Sequence, residues 1–231
     1  HESIALLKGC IYSGKIAAEK ATGKEVVFVI GDTEAGKSTF INYLAGCEMN
    51  VAPKVGRRAH LHGDLVVVKD DSPVKEVMPI GHAKSSKTLM PQIEADQHGW
   101  TYCDCPGFHD TRGFEINVAN AVNRRAALIN AKSVKIVILV NYQSLKDNRA
   151  AGLKETIRIC CELFGSAENL YQYRESLILG ISRVDESARN QSQRSLEDLK
   201  AYMRETPLTT EAESEILNFL SEQLFIWDPL N

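Results

Sequence analysis

Short runs of apolar residues alternate along this chain with longer segments in which apolar residues recur at helical spacing. Three of the runs are β-branched and nearly continuous, which is typical of strands buried on both faces of a parallel sheet. These runs cover residues 25–31, 134–141 and 176–182, and a final strand is predicted over residues 224–227. The helical segments cover residues 2–21, 37–44, 115–131, 146–164, 192–205 and 210–222.

Two pairs of shorter β-rich pieces are each joined by turn-forming residues, so each pair predicts a hairpin. The first pair covers residues 65–69 and 74–77, with an Asp-Asp-Ser-Pro turn between them. The second pair covers residues 89–95 and 100–104, joined by residues 96–99. We expect the first hairpin to be an insertion into the core fold.

Strands that alternate with helices predict right-handed crossovers and a mostly parallel sheet that is covered on both faces. The predicted fold class is therefore α/β with three layers. The 231 residues suffice for one domain, and we find neither a dividing linker nor an internal repeat. We expect residues 25–231 to form the core and residues 1–24 to form an N-terminal helical extension.

Composition and charge narrow the classes of function. The net charge is −3 and no basic stripe stands out, so there is no electrostatic case for binding nucleic acid. The longest apolar run, residues 136–140, is far too short for a transmembrane segment. The six cysteines form no zinc-type pair of motifs, and we expect free thiols and a cytoplasmic location. Because the chain begins at His1, we interpret it as a fragment, and any membrane attachment would come from parts outside it.

The strongest chemical signal directly follows the first buried strand. Residues 31–38 satisfy the pattern G-x-x-x-x-G-K-[ST] at the junction of a strand and a helix. Backbone N–H groups of such a loop can surround a β-phosphate, Lys37 can approach the β- and γ-phosphate oxygens, and Ser38 can ligate Mg²⁺. The predicted nucleotide-binding residues here are Gly31, Asp32, Thr33, Glu34, Ala35, Gly36, Lys37, Ser38 and Thr39.

A second signal is Asp-Cys-Pro-Gly at residues 104–107, where a predicted strand ends. Asp104 can hold Mg²⁺ through a water molecule, and the N–H of Gly107 can reach a γ-phosphate. The combination with the phosphate loop is far more specific than either motif alone.

A third signal is Ser-Arg-Val-Asp at residues 182–185, which follows the third buried strand. Asp185 can accept two hydrogen bonds from N1–H and the 2-amino group of guanine, a pair that adenine cannot supply. The stem of Arg183 can cover one face of the base, beside Ser182. The alternative interpretation is a surface turn in which Asp185 caps a helix.

In this order, the three motifs resemble a P-loop GTPase of the translation-factor class over about residues 25–230. The residues at 36–42 and 104–107 are most similar to the septin and immunity-associated GTPase branch. The resemblance implies a G domain that binds GTP or GDP with Mg²⁺ through two switch loops ordered by the γ-phosphate. It also implies a switch I ligand for Mg²⁺, for which we choose Thr88, with Ser85 and Ser86 as alternatives.

The chain departs from the family pattern where small GTPases place a Gln that orients the attacking water. Phe108 stands there and cannot form such a hydrogen bond, so intrinsic hydrolysis should be slow or depend on another group. His109 is the next candidate, with a solvated loop histidine as the alternative interpretation. Further charge-stabilising candidates, in cis or toward a second protomer, are Arg57, Arg58 and Arg112.

The loop expected to reach guanine O6 is a second departure, because it reads Asp-Pro-Leu from residue 228 instead of Ser-Ala-Lys. Asp228 is retained as a nucleotide contact through its backbone. Trp227 is interpreted as core packing rather than as a wall beside the base.

The sequence therefore predicts a GTP-binding switch or assembly module that slowly hydrolyses GTP to GDP and phosphate. The predicted catalytic residues are Lys37, Thr88, Gly107 and His109, and the predicted metal-site residues are Ser38, Thr88 and Asp104. The resemblance implies a homodimer across the nucleotide face, while no effector protein is indicated. The alternatives are a nucleotide-binding scaffold that does not hydrolyse GTP, and a P-loop ATPase.

Overall fold

The computed structural model of the chain describes residues 2–32, 35–53, 65–81, 90–106, 114–146, 150–184, 192–205, 208 and 210–230. Its strands are β1 (Glu25–Gly31), β2 (Met49–Ala52), β3 (Leu65–Val68), β4 (Gln92–Ala95), β5 (Thr101–Asp104), β6 (Ser133–Asn141), β7 (Leu177–Ser182) and β8 (Leu224–Ile226). Its helices are α1 (Glu2–Glu19), α2 (Lys37–Leu44), α3 (Phe114–Asn130), α4 (Tyr142–Lys146), α5 (Ala151–Phe164), α6 (Ala167–Gln172), α7 (Ser192–Arg204) and α8 (Glu211–Glu222).

Six of these strands form one sheet in the order β4-β5-β1-β6-β7-β8. All neighbouring pairs are parallel except β4 and β5, which form the predicted antiparallel hairpin. The register places Val29 of β1 opposite Asp104 of β5, and Gly31 opposite Leu139 of β6. The carboxyl ends of β1, β5 and β7 therefore meet at one edge of the sheet, which is where such folds bind ligands. The predicted α/β fold with a mostly parallel central sheet is confirmed.

The sheet separates two hydrophobic clusters because successive side chains of a strand point to opposite faces. Val26, Phe28 and Ile30 of β1 belong to the larger cluster, which α1, α3, α5 and α8 also enter. Val29 belongs to the smaller cluster on the other face, together with residues of α2 and Trp227. Both faces are covered, which explains why the strand sequences are apolar throughout.

The prediction of a hairpin between residues 65–69 and 74–77 is wrong. β3 pairs instead with β2 in an antiparallel two-stranded sheet, which is the inserted hairpin. Residues 74–77 form no strand, and the end of this segment is bound by the buried Asn42 of α2. The Asn42 Oδ1 atom accepts hydrogen bonds from the N–H groups of Val77 at 2.7 Å and Met78 at 3.0 Å. Its Nδ2 atom donates to the carbonyl of Met78 at 2.7 Å.

The predicted helix over residues 146–164 is also wrong in its first part. The structure has the short helix α4, and α5 begins only at Ala151. Ala150 adopts a left-handed conformation with φ of 58°, which a continuous right-handed helix does not contain. Leu145, Leu153 and Ile157 are nevertheless fully inaccessible, so the apolar face of this region packs into the core.

The first helix packs closely along α3. Asn123 Nδ2 donates to the carbonyl of Cys10 at 3.0 Å, and Asn130 Nδ2 donates to the carbonyl of Ala18 at 3.3 Å. A Cβ atom on Gly14 would lie 1.8 Å from Asn123 Nδ2. The two helices can therefore approach this closely only because residue 14 has no side chain.

All six cysteines are free thiols, as predicted. Burial raises the pKa of the Cys103 and Cys160 thiols, which makes them poor nucleophiles. Among the helices that the structure describes, none combines the length and the apolar character needed to cross a membrane.

The packing of α1 leads to a prediction about its glycines. We expect Gly14→Ala to lower the free energy of unfolding, because the new methyl group would collide with Asn123. Gly9→Ala is the matched control on the same helix, since no neighbouring atom lies within 4 Å of its Cβ position. We expect it to stabilise the protein by up to about 1 kcal/mol through helix propensity. Urea unfolding of both variants checks this, and equal stabilisation by both would contradict the packing.

Candidate nucleotide-binding site

The loop between β1 and α2 is shaped by two glycines that cannot be replaced without a clash or strain. A Cβ atom on Gly31 would lie 2.3 Å from the carbonyl oxygen of Leu139 in the neighbouring strand. Gly36 has φ of 85°, a conformation that residues with side chains rarely adopt. The glycines of the motif are thus required by the backbone itself, in addition to any need for a phosphate to approach.

Lys37 stands in the first turn of α2 and is 9% exposed. Its Nζ atom donates to the carbonyl oxygens of Gly31 at 3.0 Å and Asp32 at 2.7 Å. The ammonium group therefore ties the start of α2 to the backbone at the end of β1. Burial lowers the pKa of Lys37, while the nearby charge of Asp104 opposes this shift.

Ser38 and Asp104 meet at the same edge of the sheet, with Ser38 Oγ donating to Asp104 Oδ2 at 2.5 Å. Asp104 is 1% exposed, and its Oδ1 atom has no hydrogen-bond partner within the described part of the chain. Burial raises the pKa of Asp104, while the charge of Lys37 and the bond from Ser38 oppose this shift. A hydroxyl and a carboxylate with a spare oxygen are the hard ligands that Mg²⁺ prefers. The residues present therefore fit a magnesium site.

The end of β7 is linked directly to the phosphate loop. The buried Ser182 donates from Oγ to the carbonyl of Ala35 at 2.8 Å. Arg183 follows with φ of 54°, a left-handed conformation in which the regular strand ends, and its side chain is exposed. Asp228 lies beyond β8, and its Oδ1 atom accepts a hydrogen bond from the N–H of Leu230 at 3.1 Å. The segment predicted to bind the guanine base thus begins at the end of β7, next to the phosphate loop.

The structure brings together the described members of the predicted site. Those at or beside the carboxyl edge of the sheet are Gly31, Asp32, Ala35, Gly36, Lys37, Ser38, Thr39, Asp104, Ser182, Arg183 and Asp228. The predicted residues outside the described ranges are Thr33, Glu34, Thr88, Gly107, His109 and Asp185. The alternatives Ser85 and Ser86, the Gln-replacing Phe108, and the candidates Arg57, Arg58 and Arg112 also lie outside them.

One charged residue near the site was not among the residues predicted from the sequence. Arg124 of α3 is only 7% exposed, and burial lowers its pKa, opposed by the neighbouring Cys105 and Cys160. Its charge also contributes to the lowered pKa of Lys37. The only signal in the sequence was a basic residue on the apolar side of a predicted helix.

Sequence reasoning also missed the position of Trp227, although it correctly assigned this residue to the core. The indole is 6% exposed, and the outer edge of its six-membered ring lies against Gly36. This contact joins residues far apart in the sequence, so no local pattern could indicate it.

The chain is similar to known proteins in part of its sequence and in its fold. The sequence model of the family described as 50S ribosome-binding GTPase matches residues 26–163. No curated protein matches the chain. A dimerization-deficient mutant of Toc33 from Arabidopsis thaliana is 16% identical, with a TM-score of 0.51 over 96% of this chain and 77% of that one. The SRb-GTP/SRX complex of the signal recognition particle receptor from Chaetomium thermophilum is 15% identical, with a TM-score of 0.37. That match covers 87% of this chain and 90% of the other chain.

The burial of Asp104 leads to a prediction in which stability and binding change in opposite directions. Because the raised pKa favours the neutral carboxyl in the folded protein, ionisation of Asp104 lowers the free energy of unfolding as the pH rises. We expect Asp104→Asn, without nucleotide or Mg²⁺, to raise the urea midpoint at pH 7. The difference in urea midpoint between the variant and the wild type should vanish below the ordinary pH range of carboxylate titration. There Asp104 is protonated, so residue 104 is neutral in both proteins. The same variant should weaken Mg²⁺-dependent nucleotide binding by about 10- to 100-fold.

Proposed function

The chain belongs to the GTPase family described as 50S ribosome-binding GTPase, and on this basis we propose that it is a nucleotide-dependent switch or assembly module with slow GTP hydrolysis. The observation that carries this proposal is the convergence of Lys37, Ser38 and Asp104 under a glycine-shaped loop. We further propose that residues 25–231 form the G domain and residues 1–24 a helical extension. The start of the family match at residue 26 supports this division.

The phosphate loop supplies most of the binding energy in this proposal. A triphosphate offers anionic oxygens to Lys37, whose ammonium group has three N–H donors, and charge-assisted hydrogen bonds are the stronger kind. The N–H groups at the start of α2 add to the favourable field for an anion. When bound, Mg²⁺ neutralises charge on the β- and γ-phosphates. Ser38 and Thr88 would ligate it, and Asp104 would hold it through a water.

Hydrolysis proceeds in this proposal by in-line attack of water on the γ-phosphorus, which breaks the bond to the bridging oxygen and yields GDP and phosphate. Lys37 stabilises the charge on the phosphates, and the N–H of Gly107 contacts the γ-phosphate. His109 is the candidate that orients the water. Because Phe108 cannot do so, the reaction should be slow in the isolated chain.

Guanine selectivity in this proposal depends on Asp185, with Arg183 covering the base. The bond from Ser182 to Ala35 supports this assignment, because it fixes the start of the base-reading segment relative to the phosphate loop. Adenine would leave the Asp185 carboxylate unpaired.

A homodimer across the nucleotide face is part of the proposal, since a second protomer could supply the missing catalytic group. Arg57, Arg58 and Arg112 are the candidates for that group. The Toc33 structure, which is similar in fold, is that of a dimerization-deficient mutant. Hydrolysis that accelerates with protein concentration would support the dimer.

A scaffold that holds nucleotide without hydrolysing it is the second candidate, and Phe108 is the observation that favours it. The two candidates differ in phosphate release during incubation with excess GTP at high protein concentration. A P-loop ATPase is the third, and it would bind ATP in competition with labelled GTP.

The first test of the proposed function is nucleotide binding and turnover. We expect labelled GTP and GDP to bind with Mg²⁺, and phosphate release on the order of 10⁻⁴ s⁻¹ without a partner. Lys37→Ala should weaken binding at least about 100-fold, because the loop loses its cation. Lys132→Ala is the control, since this lysine is exposed at the amino end of β6. A folded wild-type chain that takes up neither nucleotide would refute the proposal.

The second test concerns the base. Asp185→Asn should weaken GTP binding and improve binding of xanthosine triphosphate, because the amide can donate to the xanthine oxygen. Asp198→Asn, on the exposed face of α7, should leave both affinities unchanged. Competition of each nucleotide with labelled GDP measures the change. If Asp185→Asn keeps the affinity of the wild type for GTP, the base-reading assignment is wrong.

A further inference from the structure

Trp227 belongs to the hydrophobic core and also contacts the phosphate loop and the helix that follows it. The Cζ3 atom of its ring lies 3.4 Å from the position that a Cβ atom on Gly36 would occupy. The same ring packs edge-to-face on Phe40, one turn further along α2, with centroids 5.0 Å apart and an interplanar angle of 85°. The indole therefore supports both the last residue of the loop and the helix that follows it.

The backbone of Trp227 is held just as firmly. Its N–H donates to the carbonyl of Ile181 at 2.9 Å. The next residue of that strand, Ser182, holds the carbonyl of Ala35. Ala35 is thus held by a hydroxyl of β7, and Gly36 is contacted by an indole whose backbone is bonded to the preceding residue of β7.

We propose that Trp227 is a positioning residue of the nucleotide site, which keeps the phosphate loop in its binding shape by supporting Gly36 and sets the position of Asp228 beside the base. This inference rests on the proposed function. Its consequence is kinetic: without the indole, the loop can relax away from the phosphates, and bound nucleotide should leave faster. Trp227 does not need to touch the nucleotide to have this effect.

Phe225 provides a matched control within the same cluster. It lies two residues earlier, on the same face of the chain, and its ring centroid is 5.8 Å from that of Phe40. Its ring lies over Gly180, 2.5 Å from the Cβ position there, and not over Gly36. Truncating Phe225 therefore loosens the same hydrophobic cluster without removing the support of the loop.

The test measures the rate at which fluorescent GDP, labelled with a methylanthraniloyl group, dissociates from preformed complexes. We expect Trp227→Leu to raise this rate about tenfold, Trp227→Phe to raise it less, and Phe225→Leu to change it less than about threefold. The dissociation rate is a property of the folded complex, so a smaller folded fraction does not alter it. Equal rates for Trp227→Leu and wild type, or equal acceleration by Phe225→Leu, would overturn the inference.

A second variant keeps the inference falsifiable even if Trp227→Leu does not fold. Trp227→Phe keeps an aromatic ring in the cluster but lacks the outer part of the indole that contacts Gly36, so it should still raise the dissociation rate at least about threefold. Trp100→Phe is the matched control, because Trp100 is 56% exposed just before β5, and it should leave the rate unchanged. Dissociation from Trp227→Phe at the wild-type rate would overturn the inference, whereas absence of binding in the wild type would instead refute the proposed function.

Discussion

The rest of this structure depends on the turn from β1 into α2, which must leave main-chain N–H groups accessible to a phosphate. An open loop leaves main-chain groups without the partners that a regular element provides. Here the carbonyls of Gly31 and Asp32 are satisfied by Lys37, and that of Ala35 by Ser182. The loop is thus prearranged by side chains drawn from two different elements, and the buried sheet holds those elements in register.

Holding Lys37 and Asp104 beneath this loop has an electrostatic cost. Burial lowers the pKa of Lys37 and raises the pKa of Asp104, so it favours the neutral form of each group. The attraction between their charges opposes both shifts but does not cancel them. Well-packed apolar residues of similar size often give a fold that is equally or more stable. Buried charges with perturbed pKa values are common at functional sites. An anionic ligand and its cation can compensate the unfavourable free energy of burying these charges.

The sequence was sufficient where burial or steric exclusion imposed a local pattern. The strands covered on both faces are apolar along their length, and the glycines of the loop stand where Leu139 and a left-handed turn exclude side chains. It was insufficient where distant groups decide the outcome. The side chain of Asn42 satisfies the end of a segment that looked like a strand, and Ala150 ends a pattern that looked like one helix. The contact of Trp227 with Gly36 could not be predicted from the sequence either, because it joins residues far apart in the chain. The choices of Thr88, Gly107, His109 and Asp185 stay predictions.

The docking of the first helix shows why residues 1–24 are more than a loose appendage. α3 begins at Phe114, soon after the motif predicted to sense the γ-phosphate, and it carries Asn123 on the side that meets α1. At Gly14 the two helices leave no room for even a methyl group, and Lys20 forms an ion pair with Glu94 of β4 at 2.7 Å. Tightly packed interfaces do not deform continuously. Any displacement of α3 must therefore either carry α1 with it or break this contact.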